Sequence, residues 1–222
     1  MTHPTTDTGS PEAQPKAESF VDWFHINSRL VSIGAIIVVA IAFVFWFVQR
    51  QSLNETISSD KQLLTAKQSL NSGNAPLAEA DLKKVVDRYA DKPAGAEAGL
   101  LLGQLKLEKG DIQGAVTDLT ALSAKTSGGP NAASVYGLLA DATSQLGKPA
   151  DAAASYEKAA VASSGLNQRG YWRAKEARAL MEAGKPSDAR KIYEDLASQH
   201  DNEALALEAK VRLGEFSAGA KP

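Results

Sequence analysis

The segment LEKGDIQGAVTDLTALS, residues 107–123, decides how this chain folds, because its outline recurs at a fixed interval. It is preceded by LNSGNAPLAEADLKKVV at residues 70–86. It is followed by SQLGKPADAAASYEKAA at 144–160 and MEAGKPSDARKIYEDLA at 181–197. Their glycines, Gly73, Gly110, Gly147 and Gly184, are each 37 residues apart. Five residues after each glycine stands Ala78, Ala115, Ala152 or Ala189. Nine after it stands Leu82, Leu119, Tyr156 or Tyr193, and twelve after it Val85, Leu122, Ala159 or Leu196. Seven before it is a small residue, Ala66, Gly103, Ala140 or Ala177. Glycine takes the left-handed backbone conformation that ends a helix. Pro76, Pro149 and Pro186 follow within two or three residues, near a first-turn position where a missing N–H costs nothing. Each unit therefore reads as helix, glycine turn, helix. The small columns let paired helices approach, and the Leu/Tyr columns fill the space between units. A pair of helices cannot bury its apolar face alone, so the pairs stack. A fifth partial copy, VRLGEF around Gly214, repeats LLLGQL around Gly103 and supplies a terminal capping helix.

The expected fold class is all-α: a single transmembrane helix, then a helical-repeat solenoid of four helix pairs and a C-terminal capping helix. Abundant Ala, Leu, Lys and Glu with few aromatics agree with helix. The spanning helix comes from LVSIGAIIVVAIAFVFWFV, from Leu30 to Val48, uncharged between Arg29 and Arg50. At about 1.5 Å per residue it is roughly 28 Å long, close to the ~30 Å hydrocarbon core. It is apolar on every side, which suits lipid. A cleaved signal has a shorter apolar region and a small-residue cleavage site, and WFVQRQSLNE lacks one. Trp23 and Phe24 before the run, and Trp46 and Phe47 at its end, fit the two interfacial belts. The positive-inside count is nearly balanced and slightly favours a cytoplasmic C-terminus.

The expected organisation has a disordered tail at residues 1–18, rich in Thr, Pro, Gly and Ser. A juxtamembrane amphipathic segment occupies 19–28, or else simply extends the spanning helix. The transmembrane helix is 29–49, a stalk 50–57, the repeat domain 58–217, and a disordered end 218–222. Neither glycine nor proline occurs from Ala35 to Ser72. The spanning helix thus either continues into the first repeat helix or breaks near Ser58.

The repeat columns resemble the tetratricopeptide repeat over about residues 58–217. The period here is 37 rather than the family's 34, and the extra residues fall between pairs, in YADKPAG, KTSGGPN and SSGLNQR. The lead-in FVDWFHINSRL, the single span and the repeats together resemble one bacterial family, the ancillary subunit of the Sec translocon. That resemblance implies an inner-membrane protein with a cytoplasmic N-terminus and periplasmic repeats. It also implies protein partners: chaperones, emerging chains and subunits of the membrane complex. Long domains cross membranes largely regardless of flanking charge, so the resemblance outweighs the charge count. The other reading is a structural accessory subunit that stabilises a large respiratory or photosynthetic membrane complex.

No catalytic constellation, metal site, cofactor site or small-molecule substrate site is expected. With no cysteine, disulfides and thiolate metal sites are excluded. His3, His25 and His200 are isolated. SGGP at 127–130 lacks the Lys-Ser/Thr of a phosphate loop. A net charge of −2, with no basic stripe, argues against nucleic acid. Partner-binding candidates come from the resemblance, in which the first helix of each pair lines a concave groove. Six residues before each glycine the groove column reads Lys67, Gln104, Asp141 and Arg178. Two before it reads Asn71, Glu108, Gln145 and Glu182. Tyr171, Trp172 and Tyr136 are the expected aromatic anchors.

Overall fold

The computed structural model describes residues 28–199 and 202–218, and every regular element among them is helical. The elements are α1 Ser28–Asn71, α2 Ala75–Tyr89, α3 Pro93–Glu108, α4 Ile112–Thr126, α5 Ala132–Gln145, α6 Pro149–Ala162, α7 Leu166–Glu182, α8 Pro186–Ser198 and α9 Glu203–Ala218. Residues 1–27, with Trp23, Phe24, His3 and His25, lie outside the described residues, as do His200 and residues 219–222.

The turn chemistry read from the sequence is what closes each pair. Gly73, Gly110, Gly147 and Gly184 have φ of 73°, 79°, 73° and 72°, and among the described residues no non-glycine residue has positive φ. At Gly110 the chain makes the two bonds of a Schellman motif: Asp111 N–H donates to the Lys106 carbonyl at 2.8 Å, and Gly110 N–H to that of Leu107 at 3.0 Å. Gly147 and Gly184 repeat the arrangement. The following helix is then started by Asn74 or Asp111, whose side chain accepts from the backbone N–H three residues on. It is otherwise started by a proline in the first turn, as in α6 and α8.

Contacts divide the chain within α1, between Asn54 and Glu55. In the first unit, residues 32–54 of α1 are exposed throughout. This is a helix long and apolar enough to cross a membrane, and none of its apolar window is buried in the fold. By length and composition it suits a membrane span or a signal sequence; its exposure sets it apart from a core helix of a soluble protein. Trp46 and Phe47 are both half-exposed, and the Arg50 guanidinium lies 5.7 Å from the Trp46 ring centre. Residues 50–57, read from the sequence as a stalk, are helical within α1.

In the second unit the end of α1 packs on α2 through Leu63, Ala66, Ala78 and Leu82. Beyond it α3 pairs with α4, α5 with α6 and α7 with α8, and α9 stands after them without a second helix among the described residues. The repeat columns are the core. Ala66, Ala78, Ala115, Ala140, Ala152, Ala177 and Ala189 are fully buried, as are Leu82, Leu119 and Leu196. Burying a Leu contributes about 1.5–3 kcal/mol, so one column recurring through the array is a large share of its stability. Gly214, in the small column, is exposed, since no second helix among the described residues covers it.

Candidate functional site: the junctions between repeat units

The polar column six residues before each turn glycine lies along the seams between the first helices of successive units. Lys67 of α1 pairs with Glu97 of α3 at 2.6 Å. Asp141 of α5 pairs with Lys175 of α7 at 2.7 Å. Arg178 of α7 pairs with Glu208 of α9 at 3.7 Å. These side chains are thus tied to the neighbouring unit as well as lying at the surface. Gln104 instead donates to Glu108 within α3 at 3.3 Å. Those two share a cleft of about 340 Å³ with Leu70 and Leu101. Gln145 and Glu182 are exposed.

Tyr171 is half-exposed, but Trp172 is turned inward, its indole N–H buried without a hydrogen-bond partner. The indole lies between α5, α6 and α7. Its ring centre is 6.2 Å from that of Tyr156, nearly parallel, and 4.7 Å from that of Tyr171, edge-on. It fits because α5 carries Gly137 opposite: a Cβ there would stand 2.2 Å from the indole Cη2. The Lys175 ammonium lies 5.4–5.6 Å from the centres of all three rings. It gains cation–π attraction together with the Asp141 carboxylate. Asp141 also accepts from the Tyr156 hydroxyl. Burial, reinforced by that bond, pushes the Tyr156 phenol well above its ordinary range. The junction of the third and fourth units is therefore closed by the chain's own side chains. Tyr136, the remaining aromatic candidate, is half-buried, with Lys158 5.9 Å from its ring centre.

The next junction differs. Between α7, α8 and α9 lies a cleft of about 570 Å³ lined by Arg178, Met181, Tyr193, Arg212, Glu215 and Phe216. Arg178 is the only residue of this cleft selected by the polar column. The rest were visible only by carrying the 37-residue step from one junction to the next, which sets Tyr193 on Tyr156, Arg212 on Lys175 and Arg178 on Asp141.

Among the described residues no group of three or more His, Asp or Glu side chains is placed to hold a metal ion. Glu176, the one buried carboxylate among the described residues, pairs with Arg173 at 2.7 Å. Burial raises its pKa despite that pairing.

Several solved structures resemble the chain. The kinesin light chain TPR-like repeats of Podosopora anserina are 19% identical, with a TM-score of 0.55 over 70% of this chain and 83% of that one. MamA is 21% identical, with a TM-score of 0.51 over 71% and 81%. A tetratricopeptide repeat protein of Parabacteroides merdae is 14% identical, with a TM-score of 0.57 over 73% and 61%. At these identities the likeness is one of fold. No curated protein matches the sequence significantly. A tetratricopeptide repeat-like domain model matches residues 47–175, more than half of the chain, and a tetratricopeptide repeat model matches 174–221. The turns, columns and stacked pairs thus agree with the sequence family, and the chain belongs to the tetratricopeptide repeat-like family.

Proposed function

We propose that this protein is a membrane-anchored interaction scaffold that presents its repeat units to polypeptide partners beside a membrane complex. The observation that carries the reading is the joining of two features in one chain: an apolar helix with no cover in the fold, and a tetratricopeptide repeat array. An uncovered 19-residue apolar run is costly in water and stable in lipid. Tetratricopeptide repeats are characteristically protein-interaction modules, and their extended surfaces are what such stacks use for binding. Leu30 to Val48 is the bilayer segment, with Trp46 and Phe47 at one interface and Trp23 and Phe24 at the other. The N-terminus is cytoplasmic and the repeats are periplasmic, at the bacterial inner membrane. The partners are translocon subunits, chaperones or emerging chains.

On the repeat domain, Gln104 and Glu108 offer hydrogen-bonding groups beside apolar Leu70, and Tyr171 offers an exposed ring at the closed junction. Arg178 serves the open cleft. Lys67 and Asp141 act mainly by fixing unit to unit through their ion pairs. Gln145 and Glu182 complete the polar surface.

The test is capture through the C-terminus from membranes dissolved in mild detergent. Translocon subunits and chaperones at low occupancy are the expected companions. One large bioenergetic complex at fixed stoichiometry would replace this reading with that of a structural accessory subunit. Protease added from the periplasmic side of intact cells stripped of their outer membrane is expected to digest the repeats. Protection there overturns the orientation.

A further inference from the structure

We infer that the cleft between α7, α8 and α9 is a docking site for an aromatic side chain carried next to a carboxylate on a partner polypeptide. The inference rests on the interaction reading above and supplies the chemistry of the partner. Its basis is an internal template, since the preceding junction shows the same position already filled.

Carrying the 37-residue step across the two junctions changes the contents in a defined way. Trp172, whose indole lies against Tyr156, becomes Ala209, which is 1% exposed and presents only a methyl. Gly137, which admits that indole, becomes Ala174. The ring facing it is kept, as Tyr193 in place of Tyr156, and Phe216 replaces Ala179, its ring centre 6.2 Å from that of Tyr193. Met181 replaces Ser144 and adds a soft, adaptable wall. The fourth-to-fifth junction therefore gains a second ring and a thioether and lacks the indole of its predecessor, Tyr193 being covered by Leu205, Leu213 and Phe216 instead. Its volume of about 570 Å³ lies within the range of ligand clefts.

The charge changes too. In the filled junction Asp141 accepts from the Tyr156 hydroxyl and from the Lys175 ammonium. In the open one the position of Asp141 is Arg178 and that of Lys175 is Arg212. An ammonium suits the first; a carboxylate suits the second. Arg212 is held by both oxygens of Glu215 at 3.2 Å. Among the described residues Arg178 has only the 3.7 Å pairing with Glu208, and more than half of its side chain is exposed. A guanidinium carries five N–H donors and matches a carboxylate with two parallel bonds. Arg178 is accordingly the group that takes the ligand's carboxylate, while the ring enters against Phe216 and the exposed Met181, with the buried Tyr193 as the floor of the cleft.

The probes are N-acetyl-L-tryptophan, its amide, and N-acetyl-L-alanine, titrated into the full chain in detergent micelles and followed by calorimetry. N-acetyl-tryptophan is expected to bind, the amide to bind about tenfold more weakly for want of the charge-assisted bonds, and N-acetyl-alanine not to bind. The amide is the less polar of the two indoles, so partition into micelles runs against the expected order. Arg178→Gln should abolish the difference between acid and amide. The pair Ala174→Gly with Ala209→Trp, which copies the filled junction, should abolish binding of both. Should that pair fail to fold, the acid–amide comparison and Arg178→Gln decide. Equal binding of acid and amide, binding by N-acetyl-alanine, no binding, or full binding by a folded pair variant overturns the inference. Failure of the probes while polypeptides still co-purify refutes the cleft and spares the scaffold. Probe binding by a chain that captures no polypeptide refutes the scaffold instead.

Discussion

Replacing Gly137 with alanine sets two known effects against each other. Alanine at a helix-interior glycine ordinarily stabilises by about 0.8–1.0 kcal/mol. At Gly137 the added Cβ would stand 2.2, 2.6 and 2.7 Å from three carbons of the Trp172 indole. Those distances are about 1 Å or more short of ordinary carbon–carbon contact, which is ~3.5–4.0 Å. The indole cannot swing aside, because Tyr156 stacks on it and Tyr171 meets it edge-on. Overpacking of this kind costs roughly 1–3 kcal/mol, and the rigid surroundings favour the upper end. The net expectation is a loss of about 2 kcal/mol, a fall in Tm of about 4–8 °C for a domain of this size. In a Trp172→Ala background the obstacle is gone, and Gly137→Ala should stabilise by about 1 kcal/mol. The coupling between the two sites is then about 3 kcal/mol. Thermal and urea unfolding of the four proteins, followed by circular dichroism, measures it. A Gly137→Ala penalty that persists without Trp172 refutes the claim that the indole closes this junction.

Asp141→Ala removes the acceptor shared by Tyr156 and Lys175 and should cost about 1–3 kcal/mol in urea unfolding, with Asp141→Asn costing less because it retains an acceptor for the hydroxyl. Glu176, with a folded pKa raised above its ordinary 4.5, binds its proton more tightly folded than unfolded. Its contribution therefore favours folding below the unfolded pKa and is lost as pH rises through the folded one, so Glu176→Gln should stabilise increasingly from pH 4.5 towards neutrality. A stability difference between the two proteins that does not change with pH contradicts this. Substituting Val38 and Val39 together with lysine puts two charges at the middle of the apolar run, a cost of about 5–7 kcal/mol in a bilayer. The variant should be released by alkaline washing that leaves the parent in the membrane, and equal retention rules out the anchor.

Much of the fold was legible because its determinants are periodic. A glycine at positive φ, an alanine where helices touch and a leucine or tyrosine between units are local requirements, and each recurs at one interval. The course of α1 was less legible. Ser52, Asn54, Thr56, Ser58 and Ser59 are indifferent helix formers, which left a break near Ser58 open. The helix runs through nonetheless, with the buried Ser59 hydroxyl bonded back to the Thr56 carbonyl at 2.8 Å. The candidate site was legible only in part. A polar column looks alike from sequence whether its side chains face solvent or pair across a seam, since the partners Glu97, Lys175 and Glu208 are about 30 residues away along the chain. Trp172 looked like an exposed anchor because its burial depends on Gly137, an absence of side chain on another helix.

That dependence suggests how a repeat array acquires a particular site. The columns that recur in every unit stack the helices and are interchangeable between units, so they cannot distinguish one junction from another. Distinction has to come from residues that break the period. Here the largest break is Trp172 with Gly137, which closes one junction and draws Lys175 over its rings. One step later the pair is Ala209 with Ala174, and a cleft lies between Met181, Phe216 and Arg178. The two junctions share the repeat period and the tyrosine, so what distinguishes them is side chains whose volume and charge can be exchanged. Exchanging them should move the open cleft from one junction to the other while the turns, the alanine columns and the stacking stay as they are.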